Sequence, residues 1–111
     1  MSEAYDRAKL VELFGDDPVT LAEVEREFFD TAREAEHEIS GTDDLDIIAR
    51  AAHRLKGASG MIGAANLHRI AEAVERAAKA SDLSTVRRMH DLFRQEVRRV
   101  ADQAGLMVDG D

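Results

Sequence analysis

Apolar residues recur along this chain three and four positions apart, the spacing that lines one face of an α-helix rather than alternate faces of a strand. A short first helix spans about residues 3–14, with Leu10 and Phe14 one turn apart, and stops at Gly15. Asp17 then offers an N-cap, and Pro18 occupies the first helical position, where its missing N–H costs nothing. The second helix sets Leu21, Val24, Phe28 and Ala32 on one stripe and runs toward Ser40-Gly41. Thr42 or Asp43 caps a third, which carries Leu45, Ile48, Ala52, Leu55 and Ile62 and is ended by Gly63. A fourth places Leu67, Ile70, Val74 and Ala78 in register. A fifth opens near Ser81-Asp82 and carries Val86, Met89, Phe93, Val97 and Val100. Connections of only a few residues turn consecutive long helices antiparallel. The pattern therefore predicts an all-α domain over 1–111: an up-down-up-down antiparallel four-helix bundle with a short additional N-terminal helix.

Composition agrees and removes whole classes of function. One proline, few aromatics and abundant Ala, Glu, Arg and Leu favour helix over strand. At 111 residues the chain buries enough surface to fold without a metal or disulfide, and it has no cysteine. No apolar run reaches the roughly 18 residues of a membrane span, and Met1-Ser2-Glu3-Ala4 lacks the basic region and apolar core expected of a secretory leader. A cytoplasmic, monomeric protein is expected. Its formal charge of −8 makes nucleic acid an improbable ligand. That charge is uneven, because no Asp or Glu occurs from Ile47 to Ala71, where Arg50, Arg54, Lys56 and Arg69 give the stretch +4.

The third helix carries the candidate chemistry. At 100° per residue, Leu55, Ile62, Ala51, Ala58, Ile48 and Ala52 all fall within about 80° of the pole opposite His53. The histidine therefore lies on the outer face. With it lie Lys56, Gly57 and Gly60, at about −60°, +40° and −20°. Glycine inside a helix costs about 1 kcal/mol relative to alanine. Two of them beside an exposed imidazole suggest room cleared for an approaching partner. An unprotonated imidazole nitrogen is a nucleophile near neutral pH, and Lys56 one turn away is a cation suited to phosphoryl oxygens. No glycine-rich nucleotide loop accompanies them. The chain is equipped to receive and pass on a phosphoryl group but not to take one from ATP, so it is expected to be a carrier and not an enzyme.

The stretch His53-Arg54-Leu55-Lys56-Gly57, with Gly63 ten positions after the histidine, resembles the signature of histidine-containing phosphotransfer (HPt) domains. Leu13-Phe14-Gly15-Asp16-Asp17-Pro18 resembles that family's lead into its second helix, and Leu67 to Ala78 its fourth. The resemblance covers about residues 8–100. It implies a four-helix bundle whose histidine shuttles phosphoryl groups between aspartates of receiver domains, in response regulators or hybrid histidine kinases. It implies His53 as phosphoacceptor, Lys56 as the phosphoryl-stabilising cation and Gly57 as the space an incoming receiver enters; Gly60 on the same face and Arg54 of the cationic stretch are expected to complete the access and docking surface. Several members carry a glutamine 22 positions after the histidine to orient its inner nitrogen; here that position is Glu75, whose carboxylate is able to accept the same bond. No cofactor is implied on this chain, Mg²⁺ belonging to the receiver.

Other readings fit less well. A di-metal carboxylate bundle needs paired Glu-x-x-His motifs, and only Glu34 with His37 supplies one, so no metal is expected. A histidine-kinase dimerisation domain carries an acidic residue beside its histidine and a proline soon after; Arg54 follows here, and no later proline exists. The alternative function is a phosphotransfer-inactive adaptor that docks a receiver or kinase. Such an adaptor should lack the histidine or the lysine, and both are present. His68 and Glu72 are expected to form a solvated i,i+4 pair, His37 and His90 have no assigned role, and Leu106-Met107-Val108 is expected to fold back on the bundle.

Overall fold

A computed structural model describes residues 3–106, and these form an all-helical bundle. Its elements are α1 (Arg7–Phe14), α2 (Pro18–Ser40), α3 (Leu45–Met61), α4 (Ala65–Lys79), α5 (Leu83–Arg88) and α6 (His90–Ala104). No helix among the described residues is long and apolar enough to cross a membrane.

Capping chemistry sets most boundaries. The Asp17 carboxylate accepts from the Thr20 N–H while Pro18 begins the helix, as the local sequence requires. Two starts differ from expectation. The first helix begins at Arg7 and not near residue 3, because Asp6 is its cap, accepting from the Lys9 N–H at 3.2 Å. Residues 4–6 serve as a strap instead. The third helix is capped by Asp44, which accepts from the Asp46 and Ile47 N–H groups, and not by Thr42 or Asp43. Thr42 accepts the Asp44 N–H one step earlier. The expected fifth helix is two segments meeting at Met89, whose N–H is shared between the Thr85 and Val86 carbonyls at 3.2 Å each. Such sharing tightens one turn and interrupts the regular ladder.

The core is drawn from all the longer helices. Leu21, Phe28 and Ala32 of α2 are buried on the expected stripe, while Val24 is half-buried. Phe29, Ile48, Leu55, Leu67, Val74, Phe93 and Val100 complete the interior with several alanines. The α3–α4 contact is the most extensive in the bundle. Ala51 and Ala52 of α3 and Ala71 and Ala78 of α4 are buried, and side chains this small suit a close approach of two helices. Of Leu10 and Phe14, one turn apart on α1, Leu10 is buried and Phe14 is exposed. Ser59 is fully buried, and its hydroxyl has no hydrogen-bond partner among the described residues.

Gly63 closes α3 with φ +70°, a left-handed conformation that favours glycine. A side chain there would lie 2.7 Å from the Asp6 Cβ, so the same glycine admits the strap. The strap is fixed by the Asp6 N–H donating to the Ile62 carbonyl at 3.0 Å. From α6, Gln103 accepts the Ala4 and Tyr5 N–H groups and donates to the Tyr5 carbonyl. Tyr5 itself is buried and donates its hydroxyl to Glu25. Leu106 packs against the core, whereas Met107 and Val108 lie outside the described residues.

Candidate functional site

His53 sits in the middle of α3 and faces solvent, its side chain 67% exposed. Opposite it on antiparallel α4 stands Glu75, only 6% exposed, with Oε2 at 2.8 Å from His53 Nδ1. The pairing follows from the short Ile62–Ala64 connection: Gly60 of α3 faces His68 of α4, and two turns further along each helix the histidine meets the glutamate. With Glu75 ionised, Nδ1 carries the proton and donates it, which leaves the Nε2 lone pair directed away from the glutamate.

Two ammonium groups hold the same carboxylate. Lys56 Nζ is 2.8 Å from Oε1, and Lys79 Nζ is 3.1 Å from Oε2, the oxygen that also receives His53. The Lys56 hydrogen bond is the first cause holding the Glu75 carboxyl at about 2, well under its ordinary value; the bonds from Lys79 and His53 add to it against the opposing effect of burial. Glu75 is therefore an anion across the physiological range. Lys56 is half-buried at 27% exposure, its stem lying along the bundle and its charge at the site. Lys79 is 66% exposed.

The glycines divide. A Cβ at Gly57 would meet nothing within 4 Å among the described residues beyond its own turn of helix, so the surface one turn from His53 is open. At Gly60 it would meet the His68 ring, with Nδ1 at 3.4 Å, at odds with the expectation of an open face there. The missing side chain lets His68 reach the Lys56 carbonyl, 3.0 Å from its Nδ1. The expected His68–Glu72 pair does not form in this arrangement; Glu72 is 3.9 Å from Arg76.

The cationic stretch of the sequence is partly offset in space. The Arg54 guanidinium lies 3.1 Å from Glu38 of α2, Lys56 is bound to Glu75, and Arg69 donates to Asn66. Sequence reasoning missed Lys79 and gave His68 the wrong partner. The first had a signal in the i,i+4 spacing from Glu75, whereas the second depends on how two helices cross. Among the described residues no group of three or more His, Cys, Asp or Glu side chains is placed to hold a metal.

The arrangement supplies an exposed imidazole with one nitrogen committed to a buried anion, a cation beside it and an open approach. The sequence profile of one protein family, described as the Hpt domain, matches residues 11–103 of the 111. Comparison with curated proteins and with solved structures finds no match.

Proposed function

Because the chain belongs to the Hpt domain family, we propose that it serves a two-component phosphorelay by carrying a phosphoryl group on Nε2 of His53 between receiver-domain aspartates. The observation that carries the reading is the His53–Glu75 bond at 2.8 Å on an otherwise exposed ring. It fixes the tautomer in which Nε2 has the lone pair.

In the transfer step that lone pair attacks phosphorus of the receiver's aspartyl phosphate. The N–P bond forms as the P–O bond to the aspartate breaks, and the aspartate leaves with the electron pair as carboxylate. The ring keeps its Nδ1 proton and gains positive charge, which the ionised Glu75 stabilises at contact distance. Lys56 moves from Glu75 toward the phosphoryl oxygens, a point charge on a flexible stem. The reverse sequence delivers the group to a second receiver. Mg²⁺ belongs to the receiver in this reading, and the chain needs no cofactor of its own. Gly57 leaves the receiver room to seat its aspartate against Nε2, and Arg54 borders that approach.

Incubation with a panel of phosphorylated receivers tests the proposal. Label should appear on His53, and His53→Gln should abolish it while leaving helical content intact. Label retained in that variant, or autophosphorylation by ATP alone, refutes the reading. Receiver binding without any label identifies an adaptor instead.

A further inference from the structure

We propose that Glu38 sets the strength of receiver docking: it holds Arg54 at the edge of the receiver's approach, and the guanidinium must leave it for a carboxylate of the receiver as the complex forms. The inference rests on the receiver-docking reading given above and deepens it.

The placement follows from helix geometry. Gly57 stands four residues after His53 and three after Arg54, so it is a surface neighbour of both side chains. A body that enters over Gly57, where space is open beyond the helix's own turn, has the imidazole on one side and the guanidinium on the other. Arg54 is not loose at that edge. Its Nη2 donates to Glu38 Oε2 at 3.1 Å, a bond from α3 to the last turn of α2.

The pair is suited to exchange. The side chains of Arg54 and Glu38 are 62% and 41% exposed, so water already competes for both. An ion pair this open adds little to folding and is readily given up. A receiver offers the replacement, because it holds Mg²⁺ beside its aspartate and Mg²⁺ is bound through carboxylate oxygens. The planar arginine fork matches such an oxygen pair better than a point charge would. On departure the guanidinium returns to Glu38, which shortens the life of the complex. A carrier that visits two receivers in turn requires such release.

Glu34 supplies a control. It lies one turn before Glu38 on α2, carries the same charge and is exposed, but it is Glu38 that bonds Arg54.

The test measures dissociation constants and rates for a Mg²⁺-loaded receiver domain by stopped-flow fluorescence, with label acceptance alongside. The chains compared are the wild type, Glu38→Gln, Arg54→Gln, the double variant and Glu34→Gln. Glu38→Gln should tighten binding about two- to fivefold, chiefly by slower dissociation, since an exposed pair no longer has to be broken. Arg54→Gln should weaken binding. In that background Glu38→Gln should add nothing, because Glu38 acts through the arginine. Glu34→Gln changes the net charge equally and should leave the affinity nearly unchanged.

Equal gains from Glu34→Gln and Glu38→Gln would reduce the effect to net charge and overturn the proposal. A gain that survives Arg54→Gln also overturns it, by putting Glu38 itself against the receiver. So does unchanged binding by folded Glu38→Gln, which would leave the pair as a tie between α2 and α3. Binding that responds as expected without label on His53 would remove the carrier role and leave this proposal standing, whereas no receiver binding at all would remove both.

Discussion

Replacing Gly57 by glutamine separates what the bundle needs from what a partner needs. Gly57 lies inside α3 with helical residues on both sides, and nothing stands within 4 Å of the position a Cβ would take. No clash opposes the substitution, so the intrinsic preference of the helix decides its effect on folding. Glutamine exceeds glycine there by about 0.6 kcal/mol, and the variant should be more stable by that amount. For a domain of this size the gain corresponds to a rise in Tm of about 2–4 °C. The new side chain would stand one turn from His53 on the same face, about 5–6 Å away between Cβ atoms, where an incoming receiver has to pack. A loss of about 1.4 kcal/mol in docking already gives a tenfold loss of transfer, and displacing a partner by a full side chain should cost at least that. Thermal melting by circular dichroism and transfer from a phosphorylated receiver should therefore move in opposite directions. A lowered Tm would mean that the space at Gly57 is filled within the fold. An unchanged transfer rate in a stabilised variant would mean that the receiver docks elsewhere.

Two further substitutions probe the interior of the site and of the bundle. Glu75→Gln should keep the bond from Nδ1 but leave Lys56 and Lys79 without their carboxylate, at about 1–2 kcal/mol of stability at pH 7, read by urea denaturation. Because the Glu75 carboxyl is held at about 2, its contribution is fully present above the ordinary 4.5 and is lost as pH falls from there through about 2. Glu75→Gln should accordingly flatten the acid limb of the stability profile, and an unchanged limb would refute the assignment. Ser59→Ala removes a fully buried hydroxyl that has no partner among the described residues and installs the best helix former, so it should raise stability by about 1 kcal/mol. A loss in the same denaturation assay would show that the hydroxyl is bonded after all.

Helix existence and the orientation of His53 were legible because both depend on angular spacing within one segment. The stripe of Ile48, Ala52 and Leu55 is buried and the histidine opposite it is exposed, as 100° per residue requires. The caps were less legible. Thr42, Asp43 and Asp44 all have side chains suited to the role, and the choice fell to the one whose carboxylate reaches the Asp46 and Ile47 N–H groups. What failed were inferences that crossed between helices. Gly60 looked open by its angle on α3, but α4 brings the His68 ring against it. The cationic stretch looked unopposed because Glu38 and Glu75 lie outside it in sequence. Glu75 was reachable only through the family resemblance, since nothing within α4 says which residue of α3 it faces.

The strap around Gln103 has a consequence for how the chain folds. One amide side chain grips backbone groups 98 and 99 positions away. Bringing such distant segments together costs about 4 kcal/mol of loop-closure entropy in a flexible chain, more than a few half-buried hydrogen bonds return by themselves. The grip forms only once the intervening helices have already shortened that distance, which places it at the end of assembly. Its release uncovers Ala4 and Tyr5 but leaves the packing of α3 against α4 in place. The amide protons of Ala4 and Tyr5 should exchange through local release of the strap, well ahead of those in α3 and α4, while His53 and Glu75 remain paired across those two helices.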